Sequence, residues 1–323
     1  MPDDAELLIL SGPEVAPLLK PAEVLEAVRE AFVLHSEGQG RVFPVVRERL
    51  GTGRVFGIKA GDVEAQGLLG FKAAGFWPSN RMQGAEPHQA TVMLFDPATG
   101  RPTCLIDGNA ITTARTGAAG MLGLQLLARP DSTRLCVFGT GVQARMQLRL
   151  ALDQLPTLQE VSYLTAHDTP APAFEAAFAD RCTVRHATDP DAAVATSDVV
   201  ITATPGAGAL FAAEAVQPGT HINAVGADTK GKRELPDDLL TRARVVVDDR
   251  DQARQIGECQ WYDDLNVTEI GDLLTSRATL IRQADDITVF DMTGLALQDL
   301  TVARMLQARA MEGGHGLRLP WPW

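Results

Sequence analysis

Two lysines stand where a lysine is costly. Lys59 lies in FGIKAG and Lys72 in LLGFKAAGF, both inside apolar runs that read as strands. An ammonium buried there without a counter-charge is expensive, so each calls for an anion, from the protein or from a ligand. Arg115 is a third case, opening RTGAAG within an otherwise apolar helical stretch. Residues 41–81 carry Arg41, Arg47, Arg49, Arg54, Lys59, Lys72 and Arg81 against only Glu48, Asp62 and Glu64, in a chain of net charge −12. Converging cations in an acidic chain suit a ligand that bears carboxylates.

A second constellation lies in LCVFGTGVQARMQL, residues 135–148. An apolar strand runs into Gly139, Thr140 and Gly141, and Ala144 takes the third small position. Gly139 permits a tight turn, Gly141 lets the backbone approach a pyrophosphate, and Ala144 lets the following helix pack on the strand. The helix start then offers N–H donors and a positive dipole end to phosphate. Strand before, helix after and alternation downstream point to a dinucleotide. The next strand, EVSYLTAHDTP, should end near Thr165, where an acid would hold a ribose diol and an arginine a 2′-phosphate. Neither stands there, Asp168 coming three residues later; no Lys or Arg falls between 161 and 180, which favours NAD while leaving NADP open. Asp228, in NAVGADTKGK, follows a later strand at its carboxyl end, placed to act as acid, base or partner of an iminium, or to cap a loop. His88 and Cys259 read more simply as structural residues.

These groups need two kinds of scaffold. Residues 1–40 predict a short strand (Leu7–Leu10), a turn at Ser11-Gly12-Pro13 and a helix over 21–36, with Val24, Ala27, Val28 and Phe32 at helical spacing. RVFPVV, RVFGIKA, LLGFKAAGFW and ATVMLFD read as strands, and DPATG as a hairpin turn before PTCLID. ITTARTGAAGMLGLQLLA reads as a helix stopped at Arg129-Pro130. From 133 to about 290, RLCVFG, EVSYLTA, SDVVITAT, HINAVGA, RVVVDD and ITVFD alternate with helical stretches, the pattern of a parallel sheet. Residues 295–311 predict a last helix, and 170–180 another.

The 323 residues are 45% hydrophobic, enough for two cores. The acidic balance is poor for nucleic acid or anionic membrane. The four cysteines form no CxxC pair, so no metal site or disulfide is expected. The opening MPDDAELLIL has neither a basic region nor a long apolar run, and no stretch is long enough to span a membrane. A cytoplasmic protein is the expectation.

HQATVMLFDPATGRPTCLIDGNAITTARTGAAG, GTGVQA, INAVGADTKGKREL and TVFDMTGLALQD together resemble the ornithine cyclodeaminase/mu-crystallin family, over nearly the whole chain and in the same order. The resemblance implies an α/β protein with a Rossmann dinucleotide-binding domain (residues 123–294) inserted in an α+β substrate-binding and dimerisation domain (1–122 plus 295–323). It implies an NAD(P)-dependent oxidoreductase acting on C=N or CH–NH2 bonds of small imino or amino acids, working as a homodimer. It implies that Arg47, Lys72 and Arg115 grip the substrate carboxylate and that Asp228 handles the imine nitrogen. Cofactor contacts fall by the same resemblance on Thr91, Arg115, Thr116, Val142, Gln143, Thr204, Asn223, Val225, Gly226, Lys232, Met292 and Thr293.

One position departs from the cyclodeaminases. Thirteen residues before the strand lysine they carry a glutamate for the terminal ammonium of ornithine; here that position is Lys59. The opposite charge repels a diamine and attracts a second carboxylate. FPVVRE, FGIKAG, GFWPSN, ADTKGKRE, IGECQ and GLALQDL are most similar to the iminosuccinate reductases of the β-hydroxyaspartate cycle. The expectation is therefore an imine reductase of a small dicarboxylic 2-imino acid, iminosuccinate to L-aspartate first. Alanine dehydrogenase, cyclic ketimine reductase, a cyclodeaminase-type enzyme and a non-catalytic small-ligand binder of the mu-crystallin kind stay as alternatives.

Overall fold

The computed structural model describes residues 5–206 and 208–321. The first four residues of the opening stretch read above lie outside them. The chain divides into two compact units, residues 1–115 with 295–323, and residues 116–294. The division falls inside a helix, ahead of the residue-122 boundary expected from the sequence. The α/β class, with its Rossmann-type sheet, is as expected.

The first unit is a mixed sheet carrying helices. Its strands are β1 (Glu6–Leu10), β2 (Arg41–Val42), β3 (Val46–Arg49), β4 (Val55–Val63), β5 (Leu68–Phe76), β6 (His88–Phe95) and β7 (Pro102–Asp107), with one more strand near the chain's end. RVFPVV is not one strand. It breaks after Val42, because Pro44 has no N–H to give to a ladder, and pairing resumes at Val46. The long strands β4 to β7 form an antiparallel meander, and β1 joins β7 in parallel.

Two helices cover one face, α1 (Pro21–Ser36) and the last helix of the chain (Ala296–Gly313). Glycines let the last helix sit close to the sheet. A Cβ on Gly70 would lie 2.9 Å from the Leu300 side chain, and one on Gly61 would lie 3.4 Å from Leu297. Leu297, Leu300 and Leu306 are fully buried, each burial stabilising by about 1.5–3 kcal/mol. The Thr301 hydroxyl donates to the Ala27 carbonyl at 2.8 Å and ties the two helices together.

The helix that holds the division, α2 (Gly108–Leu127), is followed in the second unit by α3 (Val142–Gln154), α4 (Pro172–Ala176), α5 (Pro190–Ala195), α6 (Arg250–Ile256) and α7 (Ile270–Leu274); the last helix is α8. The second unit's strands are β8 (Arg134–Phe138), β9 (Glu160–Leu164), β10 (Thr183–His186), β11 (Val199–Thr202), β12 (His221–Ala224), β13 (Arg244–Val247), β14 (Val267–Glu269) and β15 (Thr288–Asp291). All pair in parallel, in the order β10-β9-β8-β11-β12-β15-β13-β14. β11, β12 and β15 are buried along their whole length, as a sheet covered on both faces requires. From β8 the chain builds outward through β9 and β10, then returns to the other side of β8 at β11. The order reverses at β8 and β11, and in such sheets ligands bind at the carboxyl ends of the strands beside the reversal.

β10 and β14 are short and were not expected from the sequence; neither was the edge strand β16 (Leu317–Pro320), which pairs antiparallel with β1. No helix among the described residues is long and apolar enough to cross a membrane.

Gly70→Ala should press on the Met93 carbonyl oxygen of β6, 2.5 Å from the new Cβ, as well as on Leu300 of α8. The expected loss is about 1–3 kcal/mol, the usual cost of overpacking, read as a lower urea midpoint; an unchanged midpoint would show that both neighbours can give way.

Candidate active site

In the second unit the glycine turn closes where β8 and β11 diverge. Gly139 has φ +101°, and a Cβ there would lie 2.7 Å from the Ala203 carbonyl oxygen just past β11. Only glycine fits both demands. Gly141 caps α3, and a Cβ at that position would meet nothing within 4 Å. The backbone of the turn therefore faces open space at the start of a thirteen-residue helix, whose first N–H groups have no partner within the helix. Ala144 is fully buried with Leu135 and Val137 of β8. A dinucleotide phosphate fits this cradle: close backbone approach, helix donors and a positive dipole end.

Around the cradle the expected cofactor residues have distinct settings. The Thr140 carbonyl accepts from Arg145 Nε at 3.2 Å, and Val142 and Gln143 form the first turn of α3, Val142 being exposed. Thr116 is buried, its carbonyl accepting from Gln147 Nε2 at 2.8 Å. The Thr165 hydroxyl closes a turn onto Thr169, with 2.9 Å bonds to both its carbonyl and its N–H. That turn puts Asp168 in a left-handed conformation (φ +49°) and brings its carboxylate 3.5 Å from His186 Nε2 at the end of β10.

Thr204 and Gly226 are organised by an acid that was not expected. The buried Glu234 carboxylate accepts from the Thr204 N–H and hydroxyl, both at 2.7 Å, and from the Gly226 N–H at 2.8 Å. Burial pushes the Glu234 carboxyl up, and these hydrogen bonds oppose that. Glu258 in turn accepts the Glu234 N–H at 2.7 Å. Asn223 turns inward. Its amide donates to the Gly120 carbonyl and its oxygen meets His221 Nε2, each at 3.0 Å. Val225 N–H pairs with the Thr202 carbonyl and Met292 N–H with that of Ala224, both at 2.9 Å, so these two extend the strand ends. The Thr293 hydroxyl donates to buried Asp248 at 2.6 Å. Lys232 Nζ donates to Asp228 Oδ1 at 2.9 Å and to the Gly226 carbonyl at 3.1 Å, so the lysine holds Asp228 against the end of β12.

In the first unit the pairing register assembles the cations. Lys59 of β4 stands directly opposite Lys72 of β5, and Lys72 opposite Val92 of β6. Opposed residues share a face, so both ammonium groups lie on the helix-covered face, and both are buried. Arg47 stands opposite Gly57, two residues from Lys59, and its side chain crosses the space that a Cβ on Gly57 would fill. Gly57, Ala74 and Ala90 form a row of small residues beside the lysine row. Thr91 lies on the opposite face of β6 from Val92 and is exposed, so the register does not bring it to the cations.

The anion in this cluster comes from α8. Asp299 is fully buried, 2.8 Å from Lys72 Nζ, and accepts from Arg115 Nε at 3.2 Å. Arg115 Nη1 donates to Gln298 Oε1 at 3.3 Å. Burial alone would raise the Asp299 carboxyl; the Lys72 and Arg115 charges hold it below the usual carboxylate range. Lys72 is pulled down to about 7, first by burial and then by Arg115, with Asp299 opposing. Asp299 did carry a sequence signal, an acid followed at once by apolar LTVA in a helix, yet nothing in the spacing says which cation it meets.

A parallel sheet with a glycine cradle at its order reversal is the signature of a Rossmann-type dinucleotide-binding protein. Residues 6–314 match the Ornithine cyclodeaminase/mu-crystallin family. The chain belongs to that family. It is 33% identical to an iminosuccinate reductase of Paracoccus denitrificans, over 95% of this chain and 98% of the relative. The crystal structure of the P. denitrificans iminosuccinate reductase in complex with NAD+ superposes with a TM-score of 0.85 at 32% identity, covering 97% of this chain and 99% of that one. An archaeal alanine dehydrogenase dimer with bound NAD superposes with a TM-score of 0.90 at 32% identity, over 98% of this chain and 100% of that one.

Two outcomes follow from these settings. Gly139→Val should weaken NADH binding at least about tenfold, since strained φ and a lost cradle act together; fluorescence titration measures it, and wild-type affinity would remove the turn from the site. Lys72 loses its proton as pH rises through about 7, so any small carboxylate that relies on it should bind more weakly above neutrality, by up to about tenfold per pH unit. Calorimetric titration from pH 6 to 9 tests the sign: affinity that rises with pH would mean that Lys72 does not hold the carboxylate.

Proposed function

We propose that this protein is an NAD(P)H-dependent imine reductase of a small dicarboxylic 2-imino acid, with iminosuccinate to L-aspartate as its reaction. It is an NAD(P)-dependent oxidoreductase acting on C=N and CH–NH2 bonds, with NAD as the cofactor its structural neighbours carry. The observation that carries the substrate class is the Lys59–Lys72 pair. Both lysines are buried and stand directly opposite each other, and Arg115 shares Asp299 with Lys72. Like charges directly opposed on a sheet are unfavourable, and a dianionic substrate would relieve that repulsion.

Asp62, Glu48 and Glu64 are the acids near Lys59 in the sequence. Asp62 takes Arg41, with Nε at 2.8 Å. Glu48 stands opposite Phe56, on the other face from Arg47, and Glu64 is exposed beyond the end of β4.

Bound NADH supplies a hydride to the imine carbon. Arg47, Lys72 and Arg115 hold the 1-carboxylate, and Lys59 holds the second. Neutralising both carboxylates in a dry pocket makes the imine carbon more electrophilic. Asp228, oriented by Lys232, stabilises the protonated imine nitrogen or returns a proton to it. The half-exposed sheet face that carries Phe71, Met93 and Phe95 is apolar and suits a second copy; the archaeal alanine dehydrogenase neighbour is itself a dimer. That neighbour also favours a second reading, a monocarboxylate enzyme in which Lys59 is structural.

The purified protein should oxidise NADH faster with oxaloacetate plus ammonia than with pyruvate plus ammonia. Lys59→Glu should cost the first activity about a hundredfold while sparing the second, the scale of a buried charge pair turned repulsive. Equal effects on both would favour the monocarboxylate reading. Asp228→Asn should lower kcat by about 10²–10⁴ with little change in NADH affinity.

A further inference from the structure

Asp299 belongs to no expected set of site residues, and a wholly buried carboxylate is costly even in the first turn of a helix. It is the fourth residue of α8, wholly buried, with both carboxylate oxygens within 2.9 Å of Lys72 Nζ. Arg115 donates to it from Nε and to Gln298 from Nη1, so two of the guanidinium nitrogens are committed to α8. Gln298 is itself fixed, accepting the Leu295 N–H at 2.9 Å. Thr112 of α2 stands 3.4 Å from Lys72 Nζ. The charged groups bearing on Lys72 are thus Lys59 from β4, Arg115 from α2 and Asp299 from α8. Two of the three repel it. Asp299 favours the ammonium, by its charge and by a hydrogen bond.

Resting on the reading that this cluster grips a substrate carboxylate, we propose that Asp299 is a positioning residue that acts through Lys72, keeping it charged and aimed beside Arg115. A carboxylate then meets a preformed pair of donors. Without Asp299, burial and the flanking cations would leave Lys72 a neutral amine at working pH. A neutral amine neither attracts the carboxylate nor polarises the imine through it.

Asp299→Asn, Asp299→Glu, Lys72→Met and the double variant Lys72→Met/Asp299→Asn make the test, with KM, kcat and NADH affinity measured from pH 6 to 9 on whichever imine the wild type reduces best. Asp299→Asn should keep NADH affinity, raise KM about tenfold or more at neutral pH, and move the alkaline limb of kcat/KM about one unit toward acid, a unit being a tenfold change in charged fraction. Asp299→Glu should regain part of the loss. Lys72→Met and the double variant should share the same KM, because a residue acting through Lys72 has nothing further to lose. That comparison stands even if Asp299→Asn alone does not fold.

A wild-type limb and KM in folded Asp299→Asn, or losses that simply add in the double variant, would overturn the proposal. Preference for pyruvate plus ammonia would sink the dicarboxylate reading and leave this test intact. Should no imine be reduced, the 15N resonance of Lys72 in wild type and Asp299→Asn decides it: an acid shift of its titration supports the proposal, and an unchanged one overturns it.

Discussion

A carboxylate buried among cations in a low-dielectric interior organises the first unit. Asp299 has no solvent exposure, and it is tolerable there because Lys72 and Arg115 reach it. Each cation in turn meets in it a buried counter-charge. The mutual requirement ties together three elements far apart in sequence: strand β5, helix α2 and helix α8. It also demands close approach, which Gly61 and Gly70 allow by letting α8 sink onto the sheet. Hydrophobic burial of Leu297 and Leu300 drives that contact; the ion cluster decides its register.

The second unit meets a different constraint, strand ends that must stay open to a ligand. Backbone groups at such ends have lost their ladder partners and need others. Buried carboxylates supply them. Glu234 gathers the Thr204 and Gly226 N–H groups, Glu258 holds the Glu234 N–H, and Asp248 takes the Gly294 N–H. Burial and neighbouring acids push Glu258 up to about 8, and burial pushes Asp291 up to about 7. The strand ends are therefore framed by acids held as hydrogen-bonding groups, and the glycine turn with the start of α3 is left to meet phosphate.

Much of this was legible beforehand, for local reasons. GTGVQA needs only its own chain to form a turn, and its neighbours β8 and α3 announce themselves by apolar runs and helical spacing. The hairpin at DPATG and the helix at 21–36 are likewise short-range. Strand RVFPVV was misread because its apolar content outweighed Pro44, whose missing N–H shows only when a partner strand is there to need it. β10, β14 and β16 escaped because they are edge strands, exposed or half-buried, without the apolar run that marks the equally short β11, β12, β13 and β15.

The sequence by itself determined the types of group available and the two scaffolds that carry them. Lysines inside strands, small residues at a turn and an acid after a later strand are all visible in one dimension, because each reflects a cost or a local geometry. It also held the departure at Lys59, since a charge reversal is a property of residue type. Only the tertiary structure decided the pairings. That Lys59 faces Lys72 and that Asp299 answers Lys72 and Arg115 follow from strand register and helix docking. Those are fixed by burial summed over whole faces, and no single residue records them.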